Sequence, residues 1–94
     1  MKRYLLHSFY HNKHGDRVTF KGAFDDFNEA KEEAFNIQRQ YWEIAERFDL
    51  PIDKHFSPIW IDDTKKAILY ELDPDAHIFG EVEIPSYARY WEKK

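Results

Sequence analysis

The stretch FDDFNEAKEEAFNIQRQYWEIAERFDLP, residues 24–51, carries the longest amphipathic pattern in the chain and decides the fold. Asp26 is a favoured N-cap residue, and Glu29 three positions later completes a capping box. Pro51 disfavours a helical conformation of the residue before it. The spacing therefore predicts one helix from Phe27 to about Phe48, which spans roughly 33 Å at about 1.5 Å per residue.

The apolar side of this predicted helix is wider than one core requires. At about 100° per residue its apolar side chains fill an arc of about 180°, whereas packing on one core needs somewhat more than about 100°. The excess consists of Phe35 and Trp42 at one edge and Ile37 and Ile44 at the other, and the polar residues that interrupt the arc are Lys31 and Gln38. Either residues 49–57 and the C-terminal segment cover the excess, or a partner does. We expect Ile37 and Ile44 to belong to the core.

Short strand patterns flank the helix on both sides. Residues 3–11 and 17–22 read as strands around the turn NKHGD, and residues 49–57 form a loop. The segment PIWIDDTKKAILYEL, residues 58–72, is a hairpin around DDTK, and the turn DPDA leads to a strand at 77–84 that Pro85 ends. SYARYWEKK, residues 86–94, is compatible with a short C-terminal helix.

The order β-β-α-β-β-β predicts an α+β fold. It consists of one antiparallel sheet of four to five strands with the long helix packed across one face, in a single domain of residues 1–94. Alternation in the first hairpin divides its residues between two faces. One face takes Leu5, His7, Phe9, His11, Val18 and Phe20, and the other takes Tyr4, Leu6, Ser8, Tyr10, Arg17, Thr19 and Lys21.

Two segments, KGAFDDFNEAKEEA and IWIDDTKKAILYEL, resemble a pattern of small phage and prophage proteins. In that pattern a hairpin leads to a Phe-Asp…Glu-Ala helix start, and a later Ile-x-Asp…Thr…Ile segment forms a second hairpin. The matching residues are Phe24, Asp25, Phe27, Glu29 and Ala30, then Ile59, Ile61, Asp62, Lys65 and Ile68. The resemblance covers about a third of the chain. It implies an architecture and a phage origin, and it implies no catalytic activity.

Composition excludes several classes of protein. The chain has no cysteine, which excludes disulfides, thiol catalysis and cysteine-ligated zinc. Its net charge of −4 and its scattered basic residues argue against nucleic-acid binding. No segment approaches the roughly 20 apolar residues of a membrane span, and the N-terminus lacks the apolar run of a signal peptide. We expect a soluble cytoplasmic protein that binds neither nucleic acid nor membrane.

Three histidines lie close together in HSFYHNKHGD, residues 7–16. In a regular strand His7 and His11 point the same way but lie about 13 Å apart, too far to share one zinc ion. A metal site would need the turn to bring His11 and His14 together with Asp16. We expect no metal site and no cofactor.

The acidic pairs have structural explanations. Asp25 and Asp26 lie at a predicted helix N-terminus, Asp62 and Asp63 lie in a hairpin turn, and Asp73 and Asp75 flank Pro74. The hydroxyl residues form no nucleophile-elbow motif, and the three glycines are isolated. We therefore expect no enzymatic activity, and a metal-dependent or acid–base enzyme is the least supported class.

Aromatic residues make up 18% of the chain, more than one small core easily absorbs. The sequence therefore predicts a non-enzymatic protein-interaction module, acting as a homodimer, whose phage resemblance suggests a host-modulating role. The predicted interface residues are Phe35, Trp42, Tyr87, Tyr90 and Trp91. The alternative is a small-ligand or nucleotide-binding module with a pocket between helix and sheet.

Overall fold

The computed structural model describes residues 2–12, 15–49, 58–86 and 88 of the 94-residue chain. Its elements are β1 (Tyr4–Asn12), β2 (Gly15–Phe24), α1 (Phe27–Arg47), β3 (Ile59–Asp63), β4 (Ile68–Asp73) and β5 (Ile78–Val82). The strands form one sheet in the order β2-β1-β3-β4-β5, and every neighbouring pair is antiparallel. The predicted α+β fold is confirmed, with α1 packed on the sheet.

The start of α1 is where the sequence predicts it. Asp26 is the N-cap, and its Oδ1 accepts a hydrogen bond of 2.9 Å from the Asn28 backbone N–H. The second half of the predicted capping box is not formed, because no hydrogen bond joins Glu29 to Asp26 in the described chain. The helix ends at Arg47, and Phe48 is its C-cap residue.

The two faces of the first hairpin are arranged as the alternation predicts. His7 pairs with Phe20 and Phe9 pairs with Val18 across β1 and β2. The register then shifts, because Leu6 pairs with Gly22 and leaves Lys21 as an extra residue in β2. This β-bulge bends the edge strand β2 and increases its local twist.

Small residues on α1 face the centre of the sheet. The buried core consists of Leu6, Ala30, Ala34, Ile37, Ile59, Ile61 and Leu72. Half-buried rings surround it, namely Tyr4, Phe24, Phe27, Phe35, Tyr41 and Phe79. Because Ala30 and Ala34 are fully buried and lack long side chains, the α1 backbone lies close to the sheet.

Two expectations about the sides of α1 are wrong. Ile44 is 47% exposed, and Gln38, which interrupts the apolar arc in the sequence, is only 7% exposed. Ile44 is seven residues after Ile37, only about 20° away around α1, so the side of the helix on which it lies does not by itself determine its exposure. Ile37 is buried as expected.

The face of the sheet opposite α1 is also rich in apolar side chains. On it Phe9 and Trp60 are buried, whereas Val18, Phe20 and Ile78 are exposed. Its described polar side chains include His7, Asp62 and Glu71, and Glu71 accepts hydrogen bonds from the backbone N–H and the hydroxyl of Ser86. Within the described residues, no helix is long and apolar enough to cross a bilayer.

Asp63 joins the N-terminus of the chain to the β3–β4 turn. Its carboxylate, 2% exposed, accepts hydrogen bonds from Arg3 Nε at 2.9 Å and Arg3 Nη2 at 3.0 Å. It also accepts backbone N–H groups of Lys65 and Lys66, at 3.1 and 3.2 Å. The Arg3 hydrogen bonds, followed by those turn amides, lower the pKa of Asp63 to about 2.

We predict that replacing Asp26 by alanine lowers the free energy of unfolding by about 0.5–2 kcal/mol, because the Asn28 N–H loses its acceptor. Urea denaturation measures the change. Asp25→Ala is the control, since Asp25 is largely exposed and, among the described residues, its ion-pair partner is the exposed Lys2 at 3.7 Å. It should change stability by no more than about 0.5 kcal/mol. Equal losses in the two variants would contradict the assignment of Asp26 as the N-cap.

We also predict a pH-dependent contribution to stability from Asp63. Its folded-state pKa of about 2 lies below the ordinary value of 3.8. The contribution is therefore complete above pH 4 and is lost as the pH falls towards 2. The unfolding free energy of Asp63→Asn should consequently fall less steeply than that of the wild type between pH 4 and pH 2. A profile for Asp63→Asn that runs parallel to that of the wild type would refute the assignment.

Candidate functional site

Two predicted interface residues lie on one edge of α1. Phe35 and Trp42 are seven positions apart, which places them about two turns from each other on the same side of the helix. Phe35 is half-buried at the border of the core, and Trp42 is 36% exposed. Tyr87, Tyr90 and Trp91, the other predicted interface residues, lie outside the described residues.

An open groove of about 550 Å³ lies along this edge of α1. We call it the aromatic groove, and its lining residues are Phe35, Gln38, Arg39, Trp42 and His77. Four of them belong to α1, and His77 comes from the turn between β4 and β5. The groove therefore lies between the helix and one end of the sheet, which is where the small-ligand alternative expects a pocket.

Three rings form the walls of the groove. The Phe35 ring packs edge-on against Phe79 of β5, with ring centroids 5.9 Å apart. The His77 imidazole stands edge-on to Trp42 at 5.5 Å and lies 6.4 Å from Phe35. His77 thus contacts both Phe35, which packs on the sheet, and Trp42, which is partly exposed to solvent.

The backbone of the β4–β5 turn holds His77 in an unusual conformation. His77 has a φ of 58°, in the left-handed region that favours glycine. Its N–H donates to the Asp73 carbonyl at 2.8 Å. The Asp73 carboxylate accepts the backbone N–H groups of Asp75 and Ala76, at 2.9 and 3.3 Å. The turn is therefore closed mainly by Asp73 and by the backbone.

The β3–β4 turn has the same design. Asp63 opens it and accepts two backbone N–H groups, and Ala67 at the fifth position has a φ of 57°. The two turns, DTKKAI and DPDAHI, are ten residues apart in the chain. Because alanine serves at the equivalent position, the turn itself does not require the His77 side chain. Comparing these two hexapeptides is the sequence signal that would have singled out His77.

Two polar side chains complete the aromatic groove. Gln38 is 7% exposed and has no hydrogen-bond partner within the described chain. Arg39 is exposed, and its Nη2 donates to Asn36 Oδ1 at 2.8 Å. Among the described residues no carboxylate lies within ion-pair distance of Arg39. The groove therefore presents a buried amide and an unpaired cation beside its three rings.

The histidines near the N-terminus lie elsewhere. His7 is on the face of the sheet opposite α1, stacked on Trp60 at a centroid distance of 5.4 Å. Its Nδ1 is 3.3 Å from Asp62 Oδ2 and makes no hydrogen bond. His14 and the side chain of His11 lie outside what the structure describes. In the described part of the chain, no three side chains of His, Asp or Glu are grouped so as to hold a metal ion.

The acidic pairs have the structural roles that the sequence suggests. Asp26 caps α1, and Asp63 and Asp73 each accept the amides of a hairpin turn. Asp62 is the exception, since its side chain points to the opposite face of the sheet, beside His7. Asp26, Asp63 and Asp73 are thus occupied in holding the fold.

Comparisons of the chain with protein-family models, with curated proteins and with solved structures found no match. The aromatic groove is therefore interpreted from its own chemistry. Its rings can contact a flat or apolar group, its amide can both donate and accept hydrogen bonds, and its guanidinium can bind an anion.

We predict that glycine substitutions at the fifth positions of the two equivalent turns change the free energy of unfolding differently. Ala67→Gly should raise the free energy of unfolding by about 0.5–1 kcal/mol, because glycine has no steric penalty at positive φ. His77→Gly gains the same relief but loses the ring contacts with Trp42 and Phe35. It should therefore stabilise less than Ala67→Gly, or destabilise. Thermal denaturation compares the two, and equal gains would show that the His77 ring contributes nothing to packing.

Proposed function

We propose that this protein is a small non-enzymatic interaction module of the cytoplasm that binds a protein partner and acts as a homodimer. The observation that carries the proposal is the position of Trp42, a large ring left 36% exposed at the margin of the aromatic groove. Tryptophan is enriched among the residues that dominate interface energies, above all where it can enter a neighbouring pocket. The resemblance to small phage proteins suggests that the partner system is one that a phage modulates.

The charges beside Trp42 support a second copy of the same chain as the partner. Arg39 and Glu46 are both exposed and lie on the Trp42 edge of α1, three positions before and four positions after it. If two α1 helices pack antiparallel about a twofold axis near Trp42, Arg39 of each copy faces Glu46 of the other. A twofold interface requires such self-complementarity, because the same patch serves both subunits.

Small-ligand binding is the second candidate function, and the Gln38 amide favours it. The Gln38 amide lines the aromatic groove and has no hydrogen-bond partner among the described residues, so a ligand in the groove would pair with it. The groove volume of about 550 Å³ suits a small molecule.

The homodimer is tested by light scattering at concentrations up to about 1 mM, which detects dissociation constants in the millimolar range. The wild type should show the mass of two chains. Trp42→Ser should weaken association by at least about tenfold, because it removes the central ring. Ile44→Ser is the matched control, since Ile44 is 47% exposed on the other edge of α1 and should leave association unchanged.

A charge exchange tests the twofold arrangement itself. Arg39→Glu and Glu46→Arg should each weaken the dimer through like-charge contacts, and the double variant should restore it. A wild type that is monomeric at high concentration would refute the homodimer. Additive loss in the double variant would refute the antiparallel pairing of α1, while leaving Trp42 as the contact.

A further inference from the structure

We infer that the aromatic groove binds a nucleoside monophosphate or a ligand of the same chemistry, a flat nitrogen heteroaromatic ring that carries an anionic group. This inference rests on the second of the two proposed functions and specifies its ligand class. It does not depend on the homodimer.

The walls of the groove suit a flat ring. Trp42, His77 and Phe35 present three ring systems around one space of about 550 Å³, within the roughly 300–1,000 Å³ typical of ligand sites. Nucleobases stack on such side chains because every base has an aromatic face. An aliphatic ligand would gain burial from these walls but no stacking.

The buried end of the groove suits an edge that both donates and accepts hydrogen bonds. Gln38 lines the groove, is 7% exposed and has no partner within the described residues. A glutamine amide offers two N–H donors and one carbonyl acceptor. This is the pairing that glutamine makes with the N6–H and N7 groups of adenine. A base that packs against the exposed ring surfaces of the groove would therefore pair with the Gln38 amide, whereas a purely apolar group would not.

The open side of the groove suits an anion. Arg39 follows Gln38 directly and is turned about 100° further around α1, towards solvent. Its one described hydrogen bond uses Nη2, to Asn36 Oδ1, so the other guanidinium N–H groups are available. A phosphate attached to a base at Gln38 can thus lie at the rim beside Arg39, in a charge-assisted contact.

His77 is a further indication that the groove serves a ligand. The positive φ of His77 belongs to the turn type, because Ala67 has nearly the same φ at the equivalent position, so the indication comes from the side chain that this position carries. The equivalent turn position carries Ala67, which shows that the backbone does not select the imidazole. At position 77 the chain accepts a non-glycine residue at a φ of 58° and thereby places a ring opposite Trp42.

The test is a titration of the intact protein with AMP, GMP, CMP, UMP and adenosine, followed by calorimetry and by NMR. We expect saturable one-to-one binding of AMP, with shifts of the Gln38 side-chain amide and the Trp42 indole signals. Adenosine lacks the anion and should bind about tenfold more weakly. The four bases separate recognition by the Gln38 edge from stacking alone.

Variants assign each contact. Gln38→Met keeps the side-chain length and removes the amide, so it should weaken AMP binding by about tenfold. Arg39→Gln should weaken AMP by about tenfold and leave adenosine unchanged. The matched control is Arg47→Gln, on an exposed position of the same helix away from the groove, which should leave both affinities unchanged.

Trp42→Ala provides a variant at an exposed position that should remain folded, and it should weaken every base through lost stacking. The inference is overturned if no nucleotide binds saturably up to on the order of 10 mM. It is also overturned if binding is insensitive to Gln38→Met, Arg39→Gln and Trp42→Ala. Light scattering of the same samples reports the homodimer separately, so the failure of one proposal is not mistaken for the failure of the other.

Discussion

The close packing of α1 on the centre of the sheet sets the arrangement of the other side chains. Ala30 and Ala34 are fully buried in the core, and neither has any solvent-accessible surface. Such small side chains let the helix backbone approach Leu6 and Ile61, which are likewise fully buried. Phe27, at the start of α1, lies on nearly the same side as Ala34 and packs against Tyr70 and Phe79. Phe35 packs against Phe79 from one edge of the helix.

The aromatic groove follows from this packing together with the length of the strands. Phe35 stands beside β5 and rests on Phe79. Trp42 lies two turns further along α1, where the neighbouring residue is His77 of the β4–β5 turn rather than a strand residue. The Trp42 ring contacts the His77 imidazole edge-on and stays partly exposed to solvent. The helix thus extends past the end of the sheet, and its overhanging edge forms one wall of the groove.

Local chemistry in the sequence determines much of this fold, and tertiary contacts determine the rest. Asp26 identifies the start of α1 because an N-cap depends on one side chain and one nearby amide. The burial of Gln38 depends on the rotation of α1 about its axis, which is set by contacts with β1, β2 and β3, and the exposure of Ile44 depends on which positions along α1 are covered. Hydrophobic periodicity alone predicts which residues share the apolar side of α1, but not which of them lie at the middle of the buried surface. Comparison of the two turn sequences singles out His77, but the contact of its ring with Trp42 is a tertiary fact that no local sequence pattern contains.

The two equivalent turns share one backbone conformation but carry side chains with different contacts. In each, an aspartate secures the turn by accepting backbone N–H groups, so the fifth residue contributes little to turn closure beyond its φ. At the β3–β4 turn the aspartate also binds Arg3 and ties down the N-terminus, and the fifth residue is a plain alanine. At the β4–β5 turn Asp73 has no such partner in the described chain, and the fifth residue is a histidine facing α1. Because Asp73 secures the β4–β5 turn, the fifth position needs no particular side chain for turn closure. Its side chain can instead contact α1, as His77 does through Trp42.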